Sequence, residues 1–162
     1  MGRHQSEITT KSLSLTRKRL SVNTVNPPGN ERACAQYIGT MLEEVGFEVC
    51  YYELSDKRSI LVAQLAGADE KLPICFTGDL DTVPLGVSPW GQDAFAGEAQ
   101  GDKLCGRGTS DMKSGVAAMT VMALRLAKIS HRRAGMMLIF TAGEETTCVD
   151  AYAEIAKVWC GV

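Results

Sequence analysis

The sequence predicts an α/β fold because two short apolar runs of strand length enclose a longer segment of helical composition. Runs at 73–77 and 135–141 predict buried strands, and the segment 112–129, rich in Ala, Val, Met and Leu, predicts a helix. A strand, a helix and a strand in that order are typical of a crossover unit, whose two strands run parallel. With 162 residues, 45% of them hydrophobic and 22% charged, the chain is long enough for one globular domain with its own core.

Two helices are expected ahead of this unit. A first helix is predicted over 6–20, and the Asn-Pro-Pro-Gly segment at 26–29 must interrupt any helix there. A second helix is predicted over 33–45 because apolar residues recur at helical spacing, with Asn30 as its N-cap and Gly46 at its end.

Shorter patterns predict the remaining elements. Two strands, 47–54 and 59–65, flank a polar turn and predict a hairpin. The Gly-rich segment 93–108 predicts a further hairpin or a loop. A last helix is expected from Glu144 to about Trp159.

Charge and composition argue against several classes of function. The formal net charge of -2 provides no basic face for nucleic acid. No apolar run reaches membrane-spanning length or has the form of a signal peptide. The six cysteines form no C-x-x-C pair, which favours free, buried thiols in a reducing cytosol and therefore a cytoplasmic protein. They are Cys34, Cys50, Cys75, Cys105, Cys148 and Cys160.

Five carboxylates are expected to meet at one edge of the predicted sheet. Asp79 and Asp81 follow the first crossover strand, Asp111 precedes the helix, and a glutamate pair, Glu144 and Glu145, follows the second strand. In an open parallel sheet these positions share the edge where ligands bind. Like charges so close together repel one another unless a divalent cation lies between them. The pattern therefore predicts a metal site.

Each segment also has an ordinary structural explanation. Asp-x-Asp after a strand often forms a turn, and two glutamates at a helix start are common. The glycine-rich segment 106–111 precedes a predicted helix, where phosphates can bind, but it fits neither G-x-G-x-x-G nor G-x-x-x-x-G-K-[ST]. An aspartate at its end would repel phosphate, so a metal site is favoured over a nucleotide site.

Four segments, which occur along the chain in the family's order, resemble a known family of metallohydrolases. Residues 76–84 follow the pattern G-H-x-D-[TV]-V-P except at Asp79, and 106–115 follow G-R-G-x-x-D-x-K-x-G. Residues 141–146 contain the glutamate pair, and 21–31 resemble an N-terminal signature. The sequence is thus similar to the zinc-dependent family of acetylornithine deacetylase, succinyl-diaminopimelate desuccinylase, aminoacylase and carboxypeptidase G-like enzymes.

The resemblance implies a fold and a set of roles. The fold would be the N-terminal half of a zinc-exopeptidase-like catalytic domain, with a mixed sheet flanked by helices. Asp111 would bridge two metal ions and Glu145 would bind one of them. Glu144 would be the general base that activates the attacking water, and Asp81 would orient a metal-binding histidine. The metal would be zinc, with cobalt or manganese as possible substitutes.

Two departures from the family pattern bear on activity. Asp79 stands where the family has that histidine; an aspartate can also bind zinc, so Asp79 stays a candidate ligand. Neither histidine of the chain replaces it, because His131 is expected at the opposite edge of the sheet and His4 in a tail of about 14 residues. The family's remaining ligands, and its lid domain that mediates homodimerisation, come later than Glu145, so 1–162 is expected to be a partial catalytic domain without them.

The function implied is hydrolysis of linear amides in small molecules, either N-acyl amino acids or short peptides. The alternative is a truncated, non-catalytic remnant or interaction protein in which Asp79 marks a degraded metal site. The residues that would select the substrate lie largely outside this sequence in the family pattern.

Overall fold

The elements of the chain follow the predicted order, with small shifts at their ends. The structure is a computed structural model that describes residues 2–69 and 71–146. The helices are α1 (Gly2–Leu20), α2 (Arg32–Glu43) and α3 (Ser114–Leu126), and a π-helical turn (Thr109–Lys113) precedes α3. The strands are β1 (Glu48–Ser55), β2 (Arg58–Leu65), β3 (Ile74–Asp79), β4 (Glu98–Gln100), β5 (Lys103–Cys105) and β6 (Met136–Thr141).

A four-stranded mixed sheet in the order β1-β2-β6-β3 organises these elements. The strands β3 and β6 are parallel, which confirms the crossover unit, and β1 and β2 form the predicted hairpin. Because β2 pairs with β6 in antiparallel orientation, the sheet is mixed. The strands β4 and β5 form a separate two-stranded hairpin, one of the two forms expected for that segment.

The main core lies between the sheet and the helices. Every residue of β6 is buried, as expected for a strand that is a continuous apolar run and lies inside a sheet. Leu42 of α2, Val116 of α3 and Phe140 of β6 belong to one buried cluster. The helix α1 packs through Leu15 against Val121 of α3. The crossover helix is therefore fixed from both sides, and with it the loop that precedes it.

The start of α2 differs from the prediction. Its N-cap is Glu31, not Asn30, and no side chain caps the helix. The backbone N–H of Arg32 donates instead to the carbonyl of Lys57 at 2.9 Å, so a distant turn replaces the cap. The predicted end is confirmed, because Gly46 has a φ of 93° and follows the last turn of the helix.

Other expectations meet mixed outcomes. The N-terminal segment of about 14 residues, predicted to be a tail, is helical from Gly2 onward. Within the described residues the cysteines are free, as predicted. Cys34 is buried as expected, but Cys50 and Cys75, which lie on the edge strands β1 and β3, are exposed. No helix of the described part is long and apolar enough to cross a membrane. Most of the helix predicted after Glu144, with Cys148 and Cys160, lies outside the described residues.

Candidate active site

The site lies where β3 and β6 end side by side. In their parallel register Asp79 is opposite Thr141, so the chain leaves both strands at the same edge of the sheet. The strand β3 continues two residues further than predicted and includes Asp79 itself. The backbone N–H of Leu80 donates to the carbonyl of Thr141 at 2.9 Å, which holds the two exits together. His131 follows α3 and precedes β6, so it lies at the opposite edge, as predicted.

Asp81 is fully buried and accepts four hydrogen bonds. Its Oδ1 accepts from the backbone N–H groups of Gly143 at 3.1 Å and Glu144 at 3.3 Å. Its Oδ2 accepts from the N–H of Glu145 at 3.2 Å and from Nδ2 of Asn26 at 2.8 Å. One carboxylate thus fixes the backbone of the turn 143–145, which we call the glutamate turn.

Asn26 is a functional candidate whose local sequence pattern indicates only a helix-breaking segment. Its Nδ2 donates to Asp81 and, at 3.2 Å, to Oγ1 of Thr146. Its backbone N–H donates to the carbonyl of Thr82 at 2.9 Å. The resemblance of residues 21–31 to a family signature was the available signal, but it gave no role to this side chain.

Asp111 lies in an irregular turn and not at the start of a helix, which corrects the prediction. Its φ of -126° and ψ of 102° are not helical, and α3 begins only at Ser114. Gly108 adopts a φ of +81°, and a Cβ there would lie 2.3 Å from Cγ2 of Thr82. The N–H of Lys113 donates to the carbonyl of Gly108 at 2.8 Å and closes the turn.

The Asp79 carboxyl is buried among other acids. Burial raises its pKa to about 7, and the charges of Asp81, Asp111 and Glu144 contribute to the rise, while its own backbone N–H lowers it. Its Oδ2 is buried and has no hydrogen-bond partner among the described residues. A buried carboxyl oxygen without a partner costs free energy, so this atom fits a site that receives a cation.

Glu145 has a similar electrostatic environment. Burial contributes most to raising its pKa, and the charges of Glu144, Asp111 and Asp81 raise the pKa further. A hydrogen bond with the backbone of Val83 lowers it. None of the groups that shift the pKa of Glu145 is a cation. The predicted acidic segments therefore lie close enough to repel one another.

The described side chains at this edge are of types that bind divalent cations, but they do not form a closely grouped set of three. Asp79, Asp111 and Glu145 are the side chains that could hold such an ion, because carboxylate oxygens are suitable ligands for divalent cations. Both carboxylate oxygens of Asp81 already accept hydrogen bonds from other groups of the chain. Within the described ranges, no three His, Cys, Asp or Glu side chains are grouped closely enough to hold a metal ion. The ligand set stays a prediction.

Arg58 and Glu31 form an ion pair next to the glutamate turn, and local sequence patterns do not indicate it. Nε and Nη2 of Arg58 donate to the Glu31 carboxylate at 3.1 and 3.2 Å. Burial raises the pKa of Glu31 although Arg58 lowers it. A Cβ on Gly143 would lie 3.0 Å from Nη2 of Arg58, so the guanidinium approaches the turn closely.

Two cavities are relevant to ligand binding. One of about 250 Å³ is lined by the 106–111 loop, Val83 and Glu145, and so includes Asp111. The other, of about 470 Å³, lies between α1, α2 and α3 and includes none of the predicted site residues. The smaller cavity is the one adjacent to the acidic residues.

Comparison with known proteins finds matches along most of the chain. Residues 75–160 match the family model described as peptidase family M20/M25/M40. The chain is 31% identical over 148 residues to a succinyl-diaminopimelate desuccinylase of Acinetobacter baumannii, covering 90% of this chain and 38% of that protein. A desuccinylase of Wolbachia pipientis is 32% identical over 136 residues, covering 83% and 33%.

Solved structures show the same fold at low sequence identity. The M20 metallo-carboxypeptidase Sso-CP2 of Sulfolobus solfataricus has a TM-score of 0.76 at 18% identity, covering 91% of this chain and 34% of that one. The di-peptidase Dug1p of Saccharomyces cerevisiae has a TM-score of 0.72 at 16% identity, covering 94% and 36%. The chain spans little more than a third of the length of these relatives.

Proposed function

Because the chain belongs to peptidase family M20/M25/M40, we propose that it contributes to a metal-dependent hydrolase of linear amide bonds. Its substrates would be N-acyl amino acids or short peptides, the two classes named by its relatives. The observation that carries the proposal is the meeting of three acidic segments at the edge where β3 and β6 end.

Each carboxylate is assigned a separate task. Asp79, Asp111 and Glu145 would hold one or two divalent ions, with zinc as the first candidate and cobalt or manganese as substitutes. A cation held there would polarise the scissile carbonyl and make water a better nucleophile. Glu144 is the exposed middle residue of the glutamate turn, where it would take a proton from the attacking water and pass it to the leaving amine. Asp81 would keep the turn in place.

Metal binding gives the first test. We expect calorimetric titration of this chain with Zn²⁺ to show saturable binding that is lost in the double variant Asp111→Asn/Glu145→Gln. The matched control is Asp102→Asn/Glu98→Gln, which removes two exposed acids of the β4–β5 hairpin. Equal binding by the two double variants would contradict the proposed site.

Hydrolysis gives the second part of the same test. This chain can replace the matched segment of the Acinetobacter baumannii desuccinylase, and release of amine from N-succinyl and N-acetyl amino acids can be followed. We expect activity that falls at least about 100-fold in Glu144→Gln, as for loss of a general base.

The non-catalytic alternative rests on Asp79, which stands at the family's histidine position. It predicts that the hybrid enzyme is inactive with Asp79 and becomes active with Asp79→His. Activity with Asp79 in place would exclude it.

A further inference from the structure

Two cations, Arg19 and Lys113, are fully buried next to the candidate site. No ion pair of the described residues includes either side chain. Burying a charged group without an opposite charge costs free energy, so hydrogen bonds must offset part of that cost. The positions of those bonds indicate what the two side chains do.

Each of the two side chains donates to the backbone of the other's segment. Nη1 of Arg19 donates to the carbonyl of Lys113 at 3.1 Å. Nζ of Lys113 donates to the carbonyl of Arg19 at 3.1 Å and to that of Val22 at 2.8 Å. Nε of Arg19 lies 3.2 Å from Sγ of Cys34. We call the reciprocal bonds between 19–22 and 113 the Arg19–Lys113 clasp.

The clasp joins the two backbone segments that position the acidic side chains. Lys113 ends the turn that contains Asp111, two residues earlier. On the other side, Val22 leads within four residues to Asn26, whose amide donates to Asp81. Asp111 and the glutamate turn thus have a common connection outside the sheet, in addition to β3 and β6.

Stability alone does not account for two buried cations here. An apolar pair of similar volume is commonly as stable as buried charges or more stable, because it avoids their desolvation. The clasp does provide direction, since each donor reaches a defined carbonyl.

We propose that Arg19 and Lys113 are positioning residues that set the place of Asp111 relative to the glutamate turn. This rests on the proposed metal site, since the purpose of the spacing is to let Asp111 and Glu145 reach the same cation. Neither residue contacts a substrate; each acts through the backbone segments that it joins.

The test compares the double variant Arg19→Met/Lys113→Met with the wild-type chain. We expect the urea midpoint of the metal-free protein to stay close to that of wild type. Zn²⁺ affinity should fall about 10-fold or more, as when a supporting partner of a ligand is removed. The absorption bands of bound Co²⁺ should also shift, because the ligand geometry changes. The control is Thr120→Val, which removes a fully buried hydroxyl of α3 that bonds only within its own helix.

Amide NMR spectra of the metal-free proteins separate failure of this inference from failure of the proposed function. The double variant should shift the backbone signals of 110–112 and 143–145, and Thr120→Val should not. If the wild type binds no metal, the proposed function fails, and these signals still test the clasp. Unchanged signals overturn the positioning role, and so does an unfolded double variant, since the clasp would then serve stability.

Discussion

At the scale of single residues, Asp81 uses both carboxylate oxygens to bind the chain itself. Three of its donors are consecutive backbone N–H groups of the glutamate turn, and the fourth is the amide of Asn26. The family resemblance suggested that this carboxylate orients a histidine. In a chain with Asp79 at that position, Asp81 is placed to hold the two glutamates instead.

The substitution Asp81→Asn tests this arrangement. An amide nitrogen cannot accept a hydrogen bond, so at least one buried donor would face another donor. We expect the free energy of unfolding to fall by about 1–3 kcal/mol, the usual cost of a buried polar group left unsatisfied. Urea unfolding of the metal-free chain measures this, and Asp102→Asn in the exposed β4–β5 turn is the control. A loss no greater than that of the control would show that the four hydrogen bonds of Asp81 are not stabilising.

At the scale of elements, the glutamate turn depends on a glycine at its first position. Gly143 has a φ of +91°, a conformation that side chains with a Cβ rarely adopt, and the added Cβ would also meet Nη2 of Arg58 at 3.0 Å. Gly46 has almost the same backbone, with a φ of +93°, but no atom lies within 4 Å of its Cβ position. Comparing alanine substitutions at the two glycines therefore separates the cost of backbone strain from the cost of the contact with Arg58.

We expect Gly46→Ala to cost about 1–2 kcal/mol of unfolding free energy through its backbone alone. Gly143→Ala should cost more, because Arg58 must also move away from the turn. Metal affinity should fall only in Gly143→Ala. Gly46 follows the C-terminal end of α2, whereas the other end of that helix, at Glu31, is the one near Arg58 and the glutamate turn. Equal losses of unfolding free energy in both variants would show that the Arg58 side chain moves aside without measurable cost. Chemical denaturation and Zn²⁺ titration measure the two effects.

At the scale of the whole molecule, the buried acids make stability depend on pH. The pKa of Asp79 rises from 3.8 to about 7 on folding, and burial also raises the pKa values of Glu31 and Glu145. The folded chain therefore binds more protons than the unfolded chain between these limits. The stability from protonated Asp79 is complete below about pH 4 and is lost as the pH rises toward 7.

Asp79→Asn should reduce this pH dependence in the metal-free chain. We expect the variant and the wild type to have similar unfolding free energies near pH 4 and the variant to be more stable at pH 7.5. The slope should not vanish, because Glu31 and Glu145 still contribute. Guanidinium unfolding across this pH range measures the difference. Parallel curves for the two proteins would mean that Asp79 is not the main source of the pH dependence.

The order of elements and the place of the acidic segments could be predicted from local patterns. Apolar runs, helical spacing and the Pro-Pro-Gly break are local properties of the chain, and they predicted the strands, the crossover and the edge that carries Asp79 and Asp111. Element ends were less accurate. The N-cap of α2 was wrong because a carbonyl from the β1–β2 turn takes the place of the capping side chain.

By itself, the sequence determined the fold class, the family and the three acidic segments, because each depends on residue types at short spacings. Only the tertiary structure decided how those segments are held. Asp81 meets Gly143 across 62 positions, and Arg19 meets Lys113 across 94. Such contacts exist only once the sheet and helices have packed, and local patterns contain no information on which distant backbone groups a buried side chain will reach.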